Sequence, residues 1–449
     1  MTNRRAPNHR LRALLTEAGW TQEALARAVN ALGAEIGAAL RYDRTAVAHW
    51  LSGTQPRHPV PYLAAEALAR RIGRQVTPQA AGFAPLPRGI GGAEPGCGLG
   101  EQVTGFADPV TGFAALCRSD ADARRRLPLH QRPYQVADAA VPGPPKRPEP
   151  ARPLGARTDE TTALHDAVAF FAASIDTHGG RHARSALCAY LADDVTPLLA
   201  AHQPQRVRAE LLVLASRLAF LLARMYEDGQ LHGVAQRYYT FAHRLADESG
   251  DRTSWSVVLR AMSAQAQRLG HLPSALQLAE AAHEGVRRAP AAHQAYVQAQ
   301  LAVVLGLSGD RRGALAALGR AERAAQRASS AAAPFDSYPA AALHFQTSAV
   351  LEALGDLPGA LGALRRAAGE RAPGDVRGRA LSQARLGQLL LRTGHLDEAC
   401  AAWDGFLAGR ERLRSGDAER ALREMRQALR PYRNRKRAAE LLARTAHGR

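Results

Sequence analysis

The sequence predicts an all-α chain: a small helical head, a Pro/Gly-rich connection and a C-terminal α-solenoid. Three observations carry that prediction. The chain of 449 residues is 46% hydrophobic but only 5% aromatic, so its core must be built from Leu, Ala and Val, as in packed helices. A Gly-centred turn, followed five residues later by a small residue and then by apolar residues at helical spacing, recurs five times between residues 229 and 394. The first 75 residues show capped amphipathic segments of helical period.

The repeated turns read Gly229-Gln-Leu231, Gly270-His-Leu272, Gly309-Asp-Arg311, Gly355-Asp-Leu357 and Gly394-His-Leu396. Their glycines stand 41, 39, 46 and 39 residues apart. A period near forty built from two helices and a turn is the mark of an α-solenoid, which is ordinarily a binding surface. Ala275, Ala314, Ala360 and Ala399 fill the small position and Val234 replaces it in the first copy. Upstream, residues 164–175, 182–191 and 207–226 supply helices for one or two degenerate repeats, so the array is expected over residues 157–408. Residues 409–449 give two more helices split by Pro431, expected as a basic terminal cap.

In the head, Leu11, Leu14, Leu15 and Trp20 mark a first helix ending near Gly19. Thr21 caps a second, whose buried face is Leu25, Ala26 and Val29. Asp43 caps a third that runs to Gly53, and residues 62–72 form a fourth. Residues 79–156 dissolve into Pro and Gly and are expected as a linker. Within it, Arg124, Arg125 and Arg126 are expected as a solvated basic cluster, and residues 106–116 as a segment able to dock on a neighbouring domain.

The net charge of +18 is carried almost entirely by Arg. Residues 1–74 hold +6 and residues 409–449 hold +8, leaving only +4 on the 334 residues between them. Charge concentrated at the ends points to a polyanion partner for the head, while the nearly neutral array points to a partner other than nucleic acid. Four scattered cysteines, Cys97, Cys117, Cys188 and Cys400, fit a reducing cytosol better than a disulfide framework or a zinc site. No secretory signal and no membrane span is read, so the expectation is a cytoplasmic protein without a membrane partner. The Gly-dense residues 89–100 lack the Lys-Ser/Thr ending of a phosphate-binding loop. His178 and His182 stand four apart, but Gly179-Gly180 between them disfavours the helix that would align them as ligands. No nucleophile elbow or acid pair appears, and neither an enzyme nor a cofactor or metal is expected.

Thr21-Gln22-Glu23-x-Leu25-Ala26, together with Arg44-x-x-Val47-x-x-Trp50-x-x-Gly53 and Pro56, resembles the lambda-repressor-like (Xre/Cro) helix-turn-helix family. The resemblance covers about 75 residues. It implies that residues 1–78 bind double-stranded DNA, with Gln22 on the phosphate backbone and the first turns of helix three in the major groove. Carried over, Arg44 and Thr45 would read bases, with His49 beside them, and Arg41 and Arg57 would suit phosphate contacts. The sequence departs from the family between helices two and three, where about a dozen residues replace a tight turn. That insert either lengthens helix two or makes a loop.

The helix pairs resemble tetratricopeptide repeats, most clearly where Leu386, Gly387 and Leu390 precede Gly394, and Ala399, Trp403 and Phe406 follow it. A helix-turn-helix head joined to such repeats is similar to bacterial regulators whose repeats bind a peptide or protein, peptide-responsive quorum regulators among them. The stretch Tyr42-Asp-Arg-Thr-Ala-Val-Ala-His-Trp-Leu51 looks closer to actinobacterial versions implicated in sporulation and antibiotic control. The resemblance implies a DNA-binding transcriptional regulator, a homodimer whose array senses a peptide or protein or holds the dimer. The alternative is a repeat scaffold with a vestigial head that does not bind DNA.

Overall fold

A computed structural model describes residues 6–84, 108–136, 159–328 and 335–446, and among these every regular element is a helix. Cys97 and the glycine-dense stretch lie outside the described residues, as does the Pro-rich end of the expected linker. No helix among the described residues is long and apolar enough to cross a membrane.

The head contains α1 (His9–Ala18), α2 (Gln22–Glu35), α3 (Arg44–Leu51) and α4 (Val60–Ile72). Each of the first three starts on a side-chain cap: Asn8 accepts from Leu11 N at 2.9 Å, Thr21 from Ala24 N at 3.2 Å, and Asp43 from Ala46 N at 2.9 Å. Such caps stabilise a helix by about 1 kcal/mol each. Leu11, Leu25, Val29, Val47, Leu63 and Leu68 are fully buried between the four helices. The segment between α2 and α3 does both things the sequence left open. Helix α2 continues to Glu35, and residues 36–43 then form a loop. Asn30 closes it by donating to Tyr42 O and accepting from Tyr42 N, both at 2.8 Å. Tyr42 in turn packs edge-on against Trp50 at 5.2 Å.

The expected linker of residues 79–156 is corrected at two places. Residues 79–83 belong to the head: Ala81 O accepts from Asn8 Nδ2 at 2.9 Å, and buried Phe83 packs on Trp50 at 6.5 Å. Further on, α5 (Pro109–Ala121) and α6 (Ala123–His130) form a helical pair in the middle of what the composition marks as linker. Asp108 and Asp122 cap them, and Pro109 at the first helical turn favours helix, so a Pro-rich average conceals two local helix starts. Phe113 is buried against Phe241 at 6.1 Å. Arg126 is not a solvated member of a basic cluster: it donates to Asp120 O at 2.6 Å and Ala121 O at 3.1 Å, whereas Arg124 and Arg125 stay exposed. Asp120, wholly buried, accepts from Tyr226 OH at 2.5 Å and Tyr238 OH at 2.8 Å, with His130 Nε2 at 3.2 Å. Burial raises its pKa, but these three donors outweigh burial and hold the carboxyl below its ordinary range.

The array begins with α7 (Asp159–His178), α8 (Arg184–Tyr190), a π turn at Leu191–Val195 and α9 (Thr196–Ala200). Five helix pairs follow: α10 (Gln205–Asp228) with α11 (His232–Ser249), α12 (Arg252–Arg268) with α13 (Leu272–Gly285), α14 (Ala291–Leu307) with α15 (Arg311–Arg327), α16 (Ala340–Ala353) with α17 (Leu357–Gly369), and α18 (Val376–Arg392) with α19 (Leu396–Arg410). Helices α20 (Gly416–Leu429) and α21 (Lys436–Ala446) close the chain. Each pair packs as a unit and each even-numbered helix also lies against the odd-numbered helix before it, which is the packing of a solenoid.

The five repeated turns share one device. In each, the residue after the positive-φ position donates its N–H to the carbonyl five residues back: Leu231 to Tyr226, His271 to Ala266, Asp310 to Leu305, Asp356 to Leu351 and His395 to Leu390. In four copies the glycine takes the left-handed conformation, with φ between 83° and 87°. Gly229 departs: its φ is −71°, and Gln230 takes the positive φ of 67° instead. Ala275, Ala314, Ala360 and Ala399 are all fully buried, and in the first copy Ala235, not Val234, stands in their register, donating to Leu231 O as they donate to His271, Asp310, Asp356 and His395.

The row of first helices curls until its ends meet. Arg377 on α18 binds Asp228 at the end of α10 at 2.7 Å, and reaches Asp417 on α20 at 2.7 Å with its other arm. Asp417 also takes Arg268 at 3.0 Å and Arg420 at 2.9 Å, while Ser415 donates to Asp228 at 2.7 Å. Backbone bonds from Arg414 N to His178 O (2.7 Å) and from Arg181 N to Arg414 O (2.9 Å) complete the closure. Helix α20 is therefore a clasp on the start of the array.

Candidate nucleic-acid interface

Helix α3 divides its residues cleanly. Val47, Trp50 and Leu51 are buried in the head, and Arg44, Thr45, Ala48 and His49 form its exposed face. The hydrophobic anchors at i, i+3 and i+4 fix the rotation of the helix, so the three polar residues share one outward stripe. Arg41 lies exposed in the loop before α3 and Arg57 in the loop after it. Gln22 is the first residue of α2 and is half-exposed. Arg41, Arg44 and Arg57 form no ion pair among the described residues, whereas Arg70 and Arg74, elsewhere on the head, are paired with Glu35 or Glu66 and with Glu17. Among these residues, three guanidinium groups without an ion pair thus stand on or beside α3, while Arg12 and Arg27 are also exposed without one on α1 and α2. Exposed guanidinium groups flanking a helix stripe suit phosphate contacts, and the stripe itself presents groups able to meet base edges.

The opposite side of the head is attached to the array. On α4, Glu66 is 6% exposed and Oε1 stands 2.8 Å from His271 Nε2 in the second repeat turn, where the histidine is 1% exposed. Arg70, one turn on, binds Glu66 at 2.8 Å and Glu35 at 2.7 Å. Burial opposes the Arg70 charge, but the two carboxylates outweigh it and its pKa is raised. The ring of Tyr134, from the strand of chain after α6, stacks on His271 at 5.4 Å. Gln135 and Gln236 exchange two hydrogen bonds, at 3.0 and 2.7 Å, just beside it. Head, connecting segment and array therefore meet at His271.

Of the five repeat glycines, Gly270 faces the head: a Cβ there would lie 3.1 Å from Arg70 O. Gly229 faces the Arg184 side chain, and Gly309, Gly355 and Gly394 stand clear of other elements. His271 occupies the position at which Asp310 and Asp356 cap the third and fourth pairs by accepting from Gly313 N (2.8 Å) and Gly359 N (3.0 Å). Its imidazole is turned instead to another domain. Sequence reasoning missed Glu66, Arg70, Tyr134 and His271 as a group, because 205 residues separate Glu66 from its partner. The local sign is weak: His271 stands where the third and fourth repeats carry a capping aspartate, but the fifth carries His395 at the same position. Of the two histidines flanking Gly179-Gly180, His182 has a pKa lowered by burial and by His178, whose ring lies 4.5 Å away, and no metal-binding cluster occurs among the described residues.

Residues 11–84 match a family model described as SP15 N-terminal domain. The match ends one residue past buried Phe83. No curated protein matches the chain.

Proposed function

We propose that the chain is a DNA-binding transcriptional regulator whose head reads a half-site through α3 and whose tetratricopeptide-like array senses a peptide or protein. The observation that carries this reading is the outward stripe of Arg44, Thr45 and His49, flanked by the unpaired Arg41 and Arg57 and anchored from beneath by Val47 and Trp50. In its mechanism the first turn of α3 enters the major groove, Arg44 donates to a guanine edge, Thr45 meets a neighbouring base and Gln22 holds a phosphate at the start of α2. A single head reads one half-site, so the active form is a homodimer. The attachment at His271 supports control of the head by the array, since a ligand that changes the array acts on a buried polar contact shared with the head. The setting of such a regulator is the cytoplasm.

The test is selection of bound sequences from a random duplex pool by the full chain, followed by retardation assays with the enriched site. Arg44→Ala is expected to lower affinity for that site by roughly 5- to 150-fold, corresponding to about 1–3 kcal/mol for a bidentate base contact. Failure to enrich any sequence would instead support the second reading, a protein-interaction scaffold with a vestigial head. The loop of residues 36–43 favours that second reading, because it replaces the tight turn of the resembled family.

A further inference from the structure

The curled row of first helices encloses a groove that one short segment of the same chain already enters. Phe335, on the approach to α16, packs edge-on against Phe220 of α10 at 5.5 Å and lies under the guanidinium of Arg217 at 5.2 Å. Three residues on, Tyr338 packs edge-on against Tyr296 of α14 at 5.5 Å, and Arg260 of α12 covers the other ring at 4.1 Å. Phe335, Asp336, Ser337 and Tyr338 are all only half-buried. The segment therefore lies across three successive first helices without being absorbed into the core.

The groove is richer in donors than this segment can use. Nε of Arg217, Arg260 and Arg371 is buried with no hydrogen-bond partner among the described residues. Arg217 and Arg260 form no ion pair among those residues. Arg371 spends one arm on Asp375 at 2.7 Å, and Arg260 donates to Tyr296 OH at 3.2 Å. The one carboxylate the segment brings, Asp336, reaches only to 4.0 Å of His293. A buried guanidinium N–H without an acceptor is a costly arrangement, and guanidinium groups that form no ion pair suit an anionic ligand.

We propose that the groove binds a short extended peptide in which aromatic side chains flank a carboxylate, and that Phe335-Asp336-Ser337-Tyr338 holds the site in its absence. This rests on the reading of the array as a sensor and names the chemistry of what it senses. The rings of such a peptide take the places of Phe335 and Tyr338 against Phe220 and Tyr296. Its carboxylate meets Arg217 and Arg260, which the resident segment leaves unpaired.

The probe is a fluorescein-labelled octapeptide copying residues 333–340, APFDSYPA, titrated by anisotropy into the full chain. The double variant Phe335→Ser, Tyr338→Ser is expected to bind it in the micromolar range, and the parent at least tenfold more weakly. Adding Arg217→Gln and Arg260→Gln to the double variant is expected to weaken binding at least tenfold, as is an Asp→Asn change in the peptide. Should the double variant lose its helical circular dichroism, Phe335→Leu in the parent gives the same comparison with less disruption. No binding by a folded vacated variant overturns the proposal, as does binding that ignores both arginines. A parent that sediments as a dimer and dissociates on Phe335→Leu also overturns it, since the occupant is then a second copy. Loss of DNA binding alone leaves these readouts unchanged, so failure of the DNA reading and failure of the groove are distinguishable.

Discussion

His271 Nε2 lies 2.8 Å from Glu66 Oε1, and both groups are almost completely buried although one belongs to the array and the other to the head. Water is excluded from the pair, so the two domains cannot part without exposing a carboxylate shared with Arg70 and an imidazole stacked on Tyr134. The attachment leaves α3 on the open side of the head. It is therefore compatible with DNA binding in the attached state, and it sets the direction in which α3 is presented.

Removing the carboxylate leaves Arg70 with Glu35 alone and His271 with no acceptor from α4. Glu66→Ala is expected to cost about 3 kcal/mol, the range seen when one partner of a buried ion pair is lost. His271→Ala is expected to have a smaller effect on melting, because Glu66 keeps Arg70. Both should speed proteolytic cleavage between head and array. The measurement is the rate of release of a head fragment under limiting protease. An unchanged rate in Glu66→Ala would show that the attachment does not hold the head.

The chain after α6 is held to α11 by contact as close as backbone permits. A Cβ at Gly233 would stand 2.0 Å from Arg132 O, so even alanine forces the two backbones apart. On an isolated helix Gly→Ala stabilises by about 1 kcal/mol. Here Gly233→Ala is expected to destabilise by about 1–3 kcal/mol, the usual cost of overpacking. Hydrogen exchange should rise at residues 131–136 and in the turn at His271, while the repeats from α14 onward keep their protection. A stabilised variant would mean that Arg132 yields at no cost.

Closure of the array depends on Asp417, which gathers Arg268, Arg377 and Arg420 although burial works against its charge. The attraction of these arginines wins and lowers its pKa well below the ordinary carboxylate range. Asp417→Ala should cost about 3 kcal/mol, because Arg268 and Arg420 lose their nearest carboxylate and Arg377 keeps only Asp228. Small-angle scattering is expected to show a larger radius of gyration, as α20 releases the turn at His178. A destabilised variant of unchanged dimensions would assign the cluster to local packing alone.

How far the sequence reveals this architecture follows from the range of each interaction. Four of the five turns are legible because Gly, the residue after it and the buried Ala five on lie within one local phrase, and the same is true of the caps Thr21 and Asp43. The first turn is offset by one residue, with Gln230 and Ala235 in the register of Gly270 and Ala275. The exposed stripe on α3 is legible from Val47 and Trp50, since burying two positions of a helix fixes the face of the others. Helices α5 and α6 are hidden because composition is averaged over a Pro-rich stretch, whereas Asp108-Pro109 and Asp122 act over three residues. The closure at Asp417 and the attachment at His271 join residues 149 and 205 positions apart, and no local pattern encodes such pairings.

Two histidines give the fold a defined response to acid. His232, at the start of α11, is pushed down to about 3 by burial, with the charges of Arg268 and Arg70 adding to it. His243 is held at about 4 by burial beside Trp255 and by Arg244. Unfolding returns both to the ordinary histidine value near 6.5, about where exposed imidazoles titrate. Between these limits the unfolded chain binds more protons than the folded one, so stability increases with pH there. It is fully present above about pH 6.5 and is lost as pH falls toward the folded values. Each histidine contributes about 2–3 kcal/mol of that loss between pH 6.5 and 4.5, a window above most carboxylate titrations. Melting temperature is therefore expected to stay level from pH 8 to 7 and to fall steeply below 6.5. His243→Phe keeps an aromatic ring against Trp255 and removes one of the two titrations. Its melting temperature should match or exceed the parent's at pH 7 and exceed it clearly at pH 4.5. Parallel curves for variant and parent across that window would show that His243 does not enter the fold as the neutral imidazole.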